Sequence, residues 1–222
     1  MNEEGQTYML RIDLYTEITC PWCIVGQYRL DKVLAQGFAG LAADIRHHPV
    51  LLMPDAPASG TYIPDLLRSR HGITDPAIAF SRVESEARSS GLELDLRRQP
   101  WAFPTQAAHA LILAAGERGL PQHRLAVAIT QAYFLGAKNI GNADVLAAIA
   151  VDHGFDRMEA RAIAVDRAWH GRVEEAARRA TVAGVRSVPH FAFGPGIVLR
   201  GGRSEQEIAS CIREALGGVA VC

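Results

Sequence analysis

The run Tyr8-Met9-Leu10-Arg11-Ile12-Asp13-Leu14-Tyr15-Thr16, continuing through Glu17-Ile18-Thr19 into Cys20-Pro21-Trp22-Cys23, decides the fold. Tyr8, Leu10, Ile12 and Leu14 recur at every second position, the period of a strand with one buried face. Beyond Pro21 the period lengthens. Leu30, Val33 and Leu34 share a helical stripe with Arg29, Asp31, Lys32 and Gln36 opposite, so residues 21–36 read as a helix ending near Gly37. Pro21 falls at the first helical position, where its missing N–H costs nothing. A second strand is expected around Ala42 to Leu51, which makes the opening strand, helix, strand.

Outward from this unit, Pro54, Pro57 and Gly60 mark an exit into a region of different character. From Tyr62 to about Ala183 nearly every segment has helical periodicity, broken at Gly72, Gly91, Gly119-Leu120-Pro121, Gly136 to Gly141, and Gly154. Asn142 or Asp144, and Asp156, suit helix N-caps. After Gly184 strand patterns return at Ser187 to Phe193 and Gly196 to Arg200. A final helix over Ser204 to Leu216 is opened by the Ser204/Glu207 capping box. The two ends therefore read as halves of one small sheet, residues 1–60 and 184–222, with residues 61–183 as an all-helical insertion.

Composition narrows the function. The 222 residues are 49% hydrophobic and 21% charged, which suits an ordinary globular chain. With 23 Lys and Arg against 24 Asp and Glu, no field that attracts nucleic acid is expected. Met1 to Thr7 lacks the basic and apolar regions of a secretory signal, so a cytoplasmic location is expected. Apolar runs such as Ala107 to Ala115 are too short to cross a membrane. No glycine-rich phosphate loop supports a nucleotide cofactor.

Four cysteines do not make a disulfide scaffold in a chain of this length. Cys20 and Cys23 form a CxxC. Cys211 reads as a buried helix residue and Cys222 as a frayed terminal thiol. His47-His48 lacks the spacing of a zinc pair, so no metal is expected. Trp101 and Trp169 read as filler between helices and sheet, and Tyr133-Phe134-Leu135 as core.

Disulfide exchange needs a thiolate, and an ordinary cysteine, with a pKa of about 8.5, is mostly protonated at neutral pH. A Cys20 at the helix N-cap would face the free N–H groups of the first turn, which favour the anion. Cys20, exposed, would then attack a substrate disulfide, and a half-buried Cys23 would resolve the mixed disulfide. Trp22 would shield the pair. Glu17 nearby would raise the Cys20 pKa and a charged His190 would lower it.

The run Tyr15 to Gln27, with Cys20-Pro21-Trp22-Cys23 followed by Ile24-Val25-Gly26, resembles the redox signature of DsbA-family proteins of the FrnE-like branch. Pro49 to Pro54, Phe103-Pro104-Thr105 to His109-Ala110, and Gly184 to Phe191 resemble later landmarks of that branch in the same order. The resemblance implies an α/β thioredoxin-like fold interrupted by an all-helical insertion. It assigns Pro189 to a cis-proline loop beside the redox pair, preceded by Val188. His190, where similar proteins carry a small or aromatic residue, departs from the pattern, as do Cys211 and Cys222.

The activity so implied is thiol-disulfide exchange with a disulfide- or thiol-containing protein or small molecule. Cys20 and Cys23 would react, and Pro21, Trp22, Val188, Pro189 and His190 would tune the pair and bind substrate. No cofactor is expected to be bound, glutathione or another thiol serving as co-substrate, and a homodimer is compatible with the branch. Two alternatives stay open. One is a glutathione-dependent isomerase of small aromatic acids, like the 2-hydroxychromene-2-carboxylate isomerases, although those usually present Ser at the first position of the pair. The other is a non-enzymatic chaperone or binding module.

Overall fold

The computed structural model describes residues 9–217. The opening is β1 (Met9–Thr16), α1 (Pro21–Gly37) and β2 (Ala42–Pro49). Next come β3 (Thr61–Tyr62), α2 (Ile63–His71), α3 (Pro76–Ser89), β4 (Trp101–Ala102), α4 (Gln106–Glu117), α5 (Gln122–Phe134), α6 (Ala143–Val151), α7 (Arg157–Val165) and α8 (Arg167–Val182). The chain closes with β5 (His190–Phe193), β6 (Val198–Arg200) and α9 (Glu205–Gly217). Tyr8, proposed as part of the first strand, and Cys222 lie outside the described residues.

The first and last segments build one sheet in the order β2-β1-β5-β6. β1 runs parallel to β2, with Ile12 opposite Ile45, and antiparallel to β5, with Leu14 opposite Phe191. Leu10, Ile12 and Leu14 are buried as their alternation requires, and they form a core with Leu30, Val33, Phe191, Phe193, Ile208 and Ile212 from α1, β5 and α9. A second core lies among the middle helices and takes in Ile18, Ile24 and Val25. Helix α1 thus serves both cores, and its N-terminus sits where they meet.

Local signals placed the caps. Asn142, rather than Asp144, opens α6, accepting from the N–H groups of Asp144 and Val145. Asp156 opens α7, and Ser204 and Glu207 exchange the reciprocal bonds of a capping box before α9.

Several expectations are corrected. The middle region is not all-helical, because β3 and β4 pair antiparallel, Thr61 opposite Ala102 and Tyr62 opposite Trp101. Trp101 is not filler between helices and sheet: it is 42% exposed, with its ring against Tyr62. Trp169 is partly buried against the helical core. Cys211 is half-buried, not buried. The last strands begin at His190 rather than Ser187, where the cis peptide Val188-Pro189 precedes β5. Arg29, on the polar face of α1, is buried at 3%. Its guanidinium donates to Ser90 Oγ, to the Glu86 carboxylate and carbonyl, and to the Arg203 carbonyl. At Arg29 that face of α1 meets protein, not water, while Gln36 farther along it stays exposed.

Candidate active site

The end of β1 turns into α1 through Glu17, Ile18 and Thr19. The Cys20 N–H donates to the Glu17 carbonyl at 3.1 Å, which sets Cys20 as the extended N-cap with Pro21 following. Cys20 and Cys23 approach to 3.8 Å, both as free thiols. Cys20 is only 9% exposed and Cys23 is fully buried, so both lie deeper than exposed and half-buried. The reason is tertiary: α1 is packed on two sides, and Trp22 leans against the helical core.

The two thiols are driven apart electrostatically. Cys20 is lowered from the ordinary thiol range. The Cys23 hydrogen bond to its sulfur is the largest cause, burial opposes it, and the N–H groups of Cys23 and Trp22 reinforce it. Cys23 is held well above that range, first by burial and then by its bond to Cys20 and the charge there. Exchange favours this division, with the thiol nearer solvent made the more acidic and the buried partner the less acidic. Cys20 makes no side-chain capping hydrogen bond within ordinary limits, yet the N–H groups of Trp22 and Cys23 still favour its anion.

Beneath the pair lies a carboxylate. Glu17 is 1% exposed, and its oxygens accept from the Leu52 N–H at 3.0 Å, the Thr105 hydroxyl at 3.3 Å and the Thr19 N–H at 3.4 Å. His109 Nε2 lies 3.8 Å from Glu17 Oε1 and is itself buried. The Glu17 charge acts to raise both cysteine pKa values, although it is among the smaller influences on each.

Pro189 packs against α1 at Gly26. A Cβ built on Gly26 would meet Pro189 Cγ at 2.9 Å, so the proline ring rests on α1 one turn beyond Cys23. The Gly201 N–H donates to the Pro189 carbonyl at 2.8 Å, and the Trp22 ring occupies the space a side chain on Gly202 would need. Val188 is half-buried beside them. Pro21, Trp22 and Pro189 are therefore gathered round the cysteines. His190, directly after Pro189, is 6% exposed and edge-on to Tyr15, with its pKa lowered by burial and by Arg200.

Sequence reasoning gave Thr105, His109, Gly26 and Gly202 no role. His109 had a usable signal, a lone titratable residue within the apolar run of α4. Among the described residues, no group of three or more His, Cys, Asp or Glu is placed to hold a metal ion, and no helix is long and apolar enough to cross a membrane.

A cysteine pair at the N-terminus of the first helix, in a sheet with a cis-proline loop alongside, defines the thioredoxin class, and the chain belongs to the DSBA-like thioredoxin domain family, whose pattern matches residues 11–213. Among solved structures, a probable DsbA oxidoreductase from Streptomyces coelicolor is 25% identical and superposes with a TM-score of 0.81 over 94% of this chain and 90% of that one. The fold is shared with a 2-hydroxychromene-2-carboxylate isomerase, at 15% identity and TM-score 0.68 over 94% of this chain and 95% of that one. It is shared too with the cytosolic disulfide reductase DsbM of Pseudomonas aeruginosa, at 18% identity and TM-score 0.66 over 95% of this chain and all of that one, a protein also solved with glutathione. No curated protein matches the sequence.

Proposed function

We propose that this protein is a dithiol-disulfide oxidoreductase in which Cys20 attacks and Cys23 resolves. One observation carries the reading: two free thiols 3.8 Å apart at a helix N-terminus, with their pKa values moved in opposite directions. The Cys20 thiolate attacks one sulfur of a substrate disulfide and releases the other as a thiolate. Cys23 then displaces the bound sulfur and closes the Cys20-Cys23 bond, so the substrate gains the two electrons the pair loses. Two molecules of a thiol such as glutathione, leaving joined as their own disulfide, return the pair to the dithiol. The reading places residues 1–60 and 184–222 in the thioredoxin-like part and 61–183 in the insert. It also includes a cytoplasmic setting and a glutathione co-substrate, in line with the cytosolic DsbM and its glutathione-bound structure.

Insulin reduction with dithiothreitol tests it. Cys20→Ser should fall to the rate of dithiothreitol alone, and Cys23→Ser should accumulate a mixed disulfide at Cys20. Wild-type turnover by Cys20→Ser would end the proposal.

A further inference from the structure

Cys23 must lose a proton each time its thiolate is needed, yet its side chain has no exposure. Cys20 is the sulfur nearer solvent, and a substrate joined to Cys20 covers that approach. The proton therefore needs an inner route, and a buried polar seam along α1 offers one.

Cys23, Gln27 and Asp31 follow one another at intervals of four, so they lie along one stripe of α1, about 12 Å from end to end. At the inner end are Glu17 and His109, 3.8 Å apart. At the outer end Asp31 Oδ1 lies 2.6 Å from His123 Nε2, and His123 Nδ1 lies 2.8 Å from His47 Nε2, the two imidazoles being stacked. His47 on β2 and His109 on α4 belong to elements packed against each other, and both imidazoles are buried. Exposure rises outward from Glu17 at 1%, His109 at 2% and His47 at 3% to His123 at 17% and Asp31 at 43%.

Among the described residues, five buried side-chain polar atoms lack a hydrogen-bond partner. Four of them, Gln27 Oε1 and Nε2, His47 Nδ1 and His109 Nε2, belong to this seam. Leaving such atoms unpaired is unfavourable, and their concentration on three residues of one seam needs an explanation beyond packing.

We propose that Glu17, His109, His47, His123 and Asp31, with Gln27 beside them, form a proton path between the Cys23 thiol and bulk water. The inference rests on the dithiol reading. In the mixed disulfide, the Cys23 thiol gives its proton to the Glu17-His109 pair, and its thiolate attacks Cys20 Sγ. The Cys20-Cys23 bond forms as the Cys20-substrate bond breaks, and the substrate leaves as a thiolate. The proton passes through His47 and His123 and exits at Asp31. A neutral imidazole accepts at one nitrogen while donating from the other, which suits both histidines to transfer. Burial, then the neighbouring His123, His109 and His48, keep His47 neutral between transfers. His48 is itself held by Asp13 and stacked on Tyr15.

The test uses reduced protein carrying Cys211→Ser and Cys222→Ser, mixed with the aromatic disulfide dithiobis(nitrobenzoate). Attack by Cys20 releases one coloured thiolate, and resolution by Cys23 releases a second. Asp31→Asn and His123→Ala, both changes near the surface, should leave the first release unchanged and slow the second by about tenfold or more. The slowed step should show a larger solvent deuterium isotope effect, and added imidazole should restore it in His123→Ala. A second release within about twofold of the parent in both variants would overturn the path and leave the dithiol reading standing. A parent that never releases the second thiolate would overturn both.

Discussion

The ring of Pro189 occupies the space that a side chain at Gly26 would fill: a Cβ there would lie 2.9 Å from Pro189 Cγ and 3.1 Å from Phe191 Cζ. Both neighbours are ring atoms in packed surroundings, with little freedom to withdraw. Gly26→Ala should therefore destabilise the protein by about 1–3 kcal/mol and slow insulin reduction by moving the proline loop off α1. Gly37, at the other end of the helix with nothing within 4 Å, is the control. Gly37→Ala should be neutral or stabilising by up to about 1 kcal/mol. Urea midpoints of the two variants give the comparison, and equal midpoints would contradict the packing argument.

The thiol pair should titrate unequally. Cys20 is lowered, first by the Cys23 hydrogen bond, so the rate of its alkylation by iodoacetamide should reach half-maximum below the ordinary thiol pKa of about 8.5. Cys23 should stay unmodified across the same range. The linkage has opposite signs for the two. The stability that Cys20 adds to the reduced protein is complete above the unfolded pKa and is lost as pH falls through the lower folded value. That from Cys23 is complete below the unfolded pKa and is lost as pH rises towards its higher folded value. Mass spectrometry of the alkylated peptides against pH checks the assignment.

His47 should make the protein acid-sensitive. Its folded pKa is depressed, chiefly by burial, so the unfolded chain takes up the proton first, near pH 6.5. Stability from this group is complete above that value. It falls as pH drops, by at most about 1.4 kcal/mol per pH unit, until the folded pKa is passed. His47→Gln should flatten the dependence of the urea midpoint on pH between about 6.5 and 5, and an unchanged slope would refute the assignment.

Arg29 joins α1 to α3 and to the loop before α9 through a guanidinium bonded at 2.6 to 2.9 Å. Arg29→Ala removes the donor to the Arg203 carbonyl and the bonds to Ser90 Oγ and the Glu86 carboxylate, while the Glu86 carbonyl keeps the Ser89 and Ser90 hydroxyls, and it should lower stability by about 3 kcal/mol. Glu86→Gln should cost less than about 1 kcal/mol, because that carboxylate is 46% exposed and water replaces much of what it loses. Thermal or urea unfolding of both variants separates the two effects.

Much of this protein was determined locally and could be read from the chain. Leu10, Ile12 and Leu14 specify a one-faced strand. Pro21 opens a helix directly after Cys20. Asn142, Asp156 and the Ser204/Glu207 box start helices through bonds spanning two or three residues. Such features depend on neighbours a few positions away, so their pattern survives without the fold.

What only the tertiary structure decided lies at long range. Glu17 meets Thr105 across 88 positions, His47 meets His123 across 76, and Arg29 meets the Arg203 carbonyl across 174. Each of these side chains is polar, and on periodicity alone Arg29 belonged to a solvated face. Packing α1 between two cores removed the water, and partners drawn from distant segments replaced it. The depth of Cys20 and the burial of Glu17 follow from that packing, and the exposure of Trp101 from its pairing with Tyr62 across β3 and β4, neither of which a local pattern encodes.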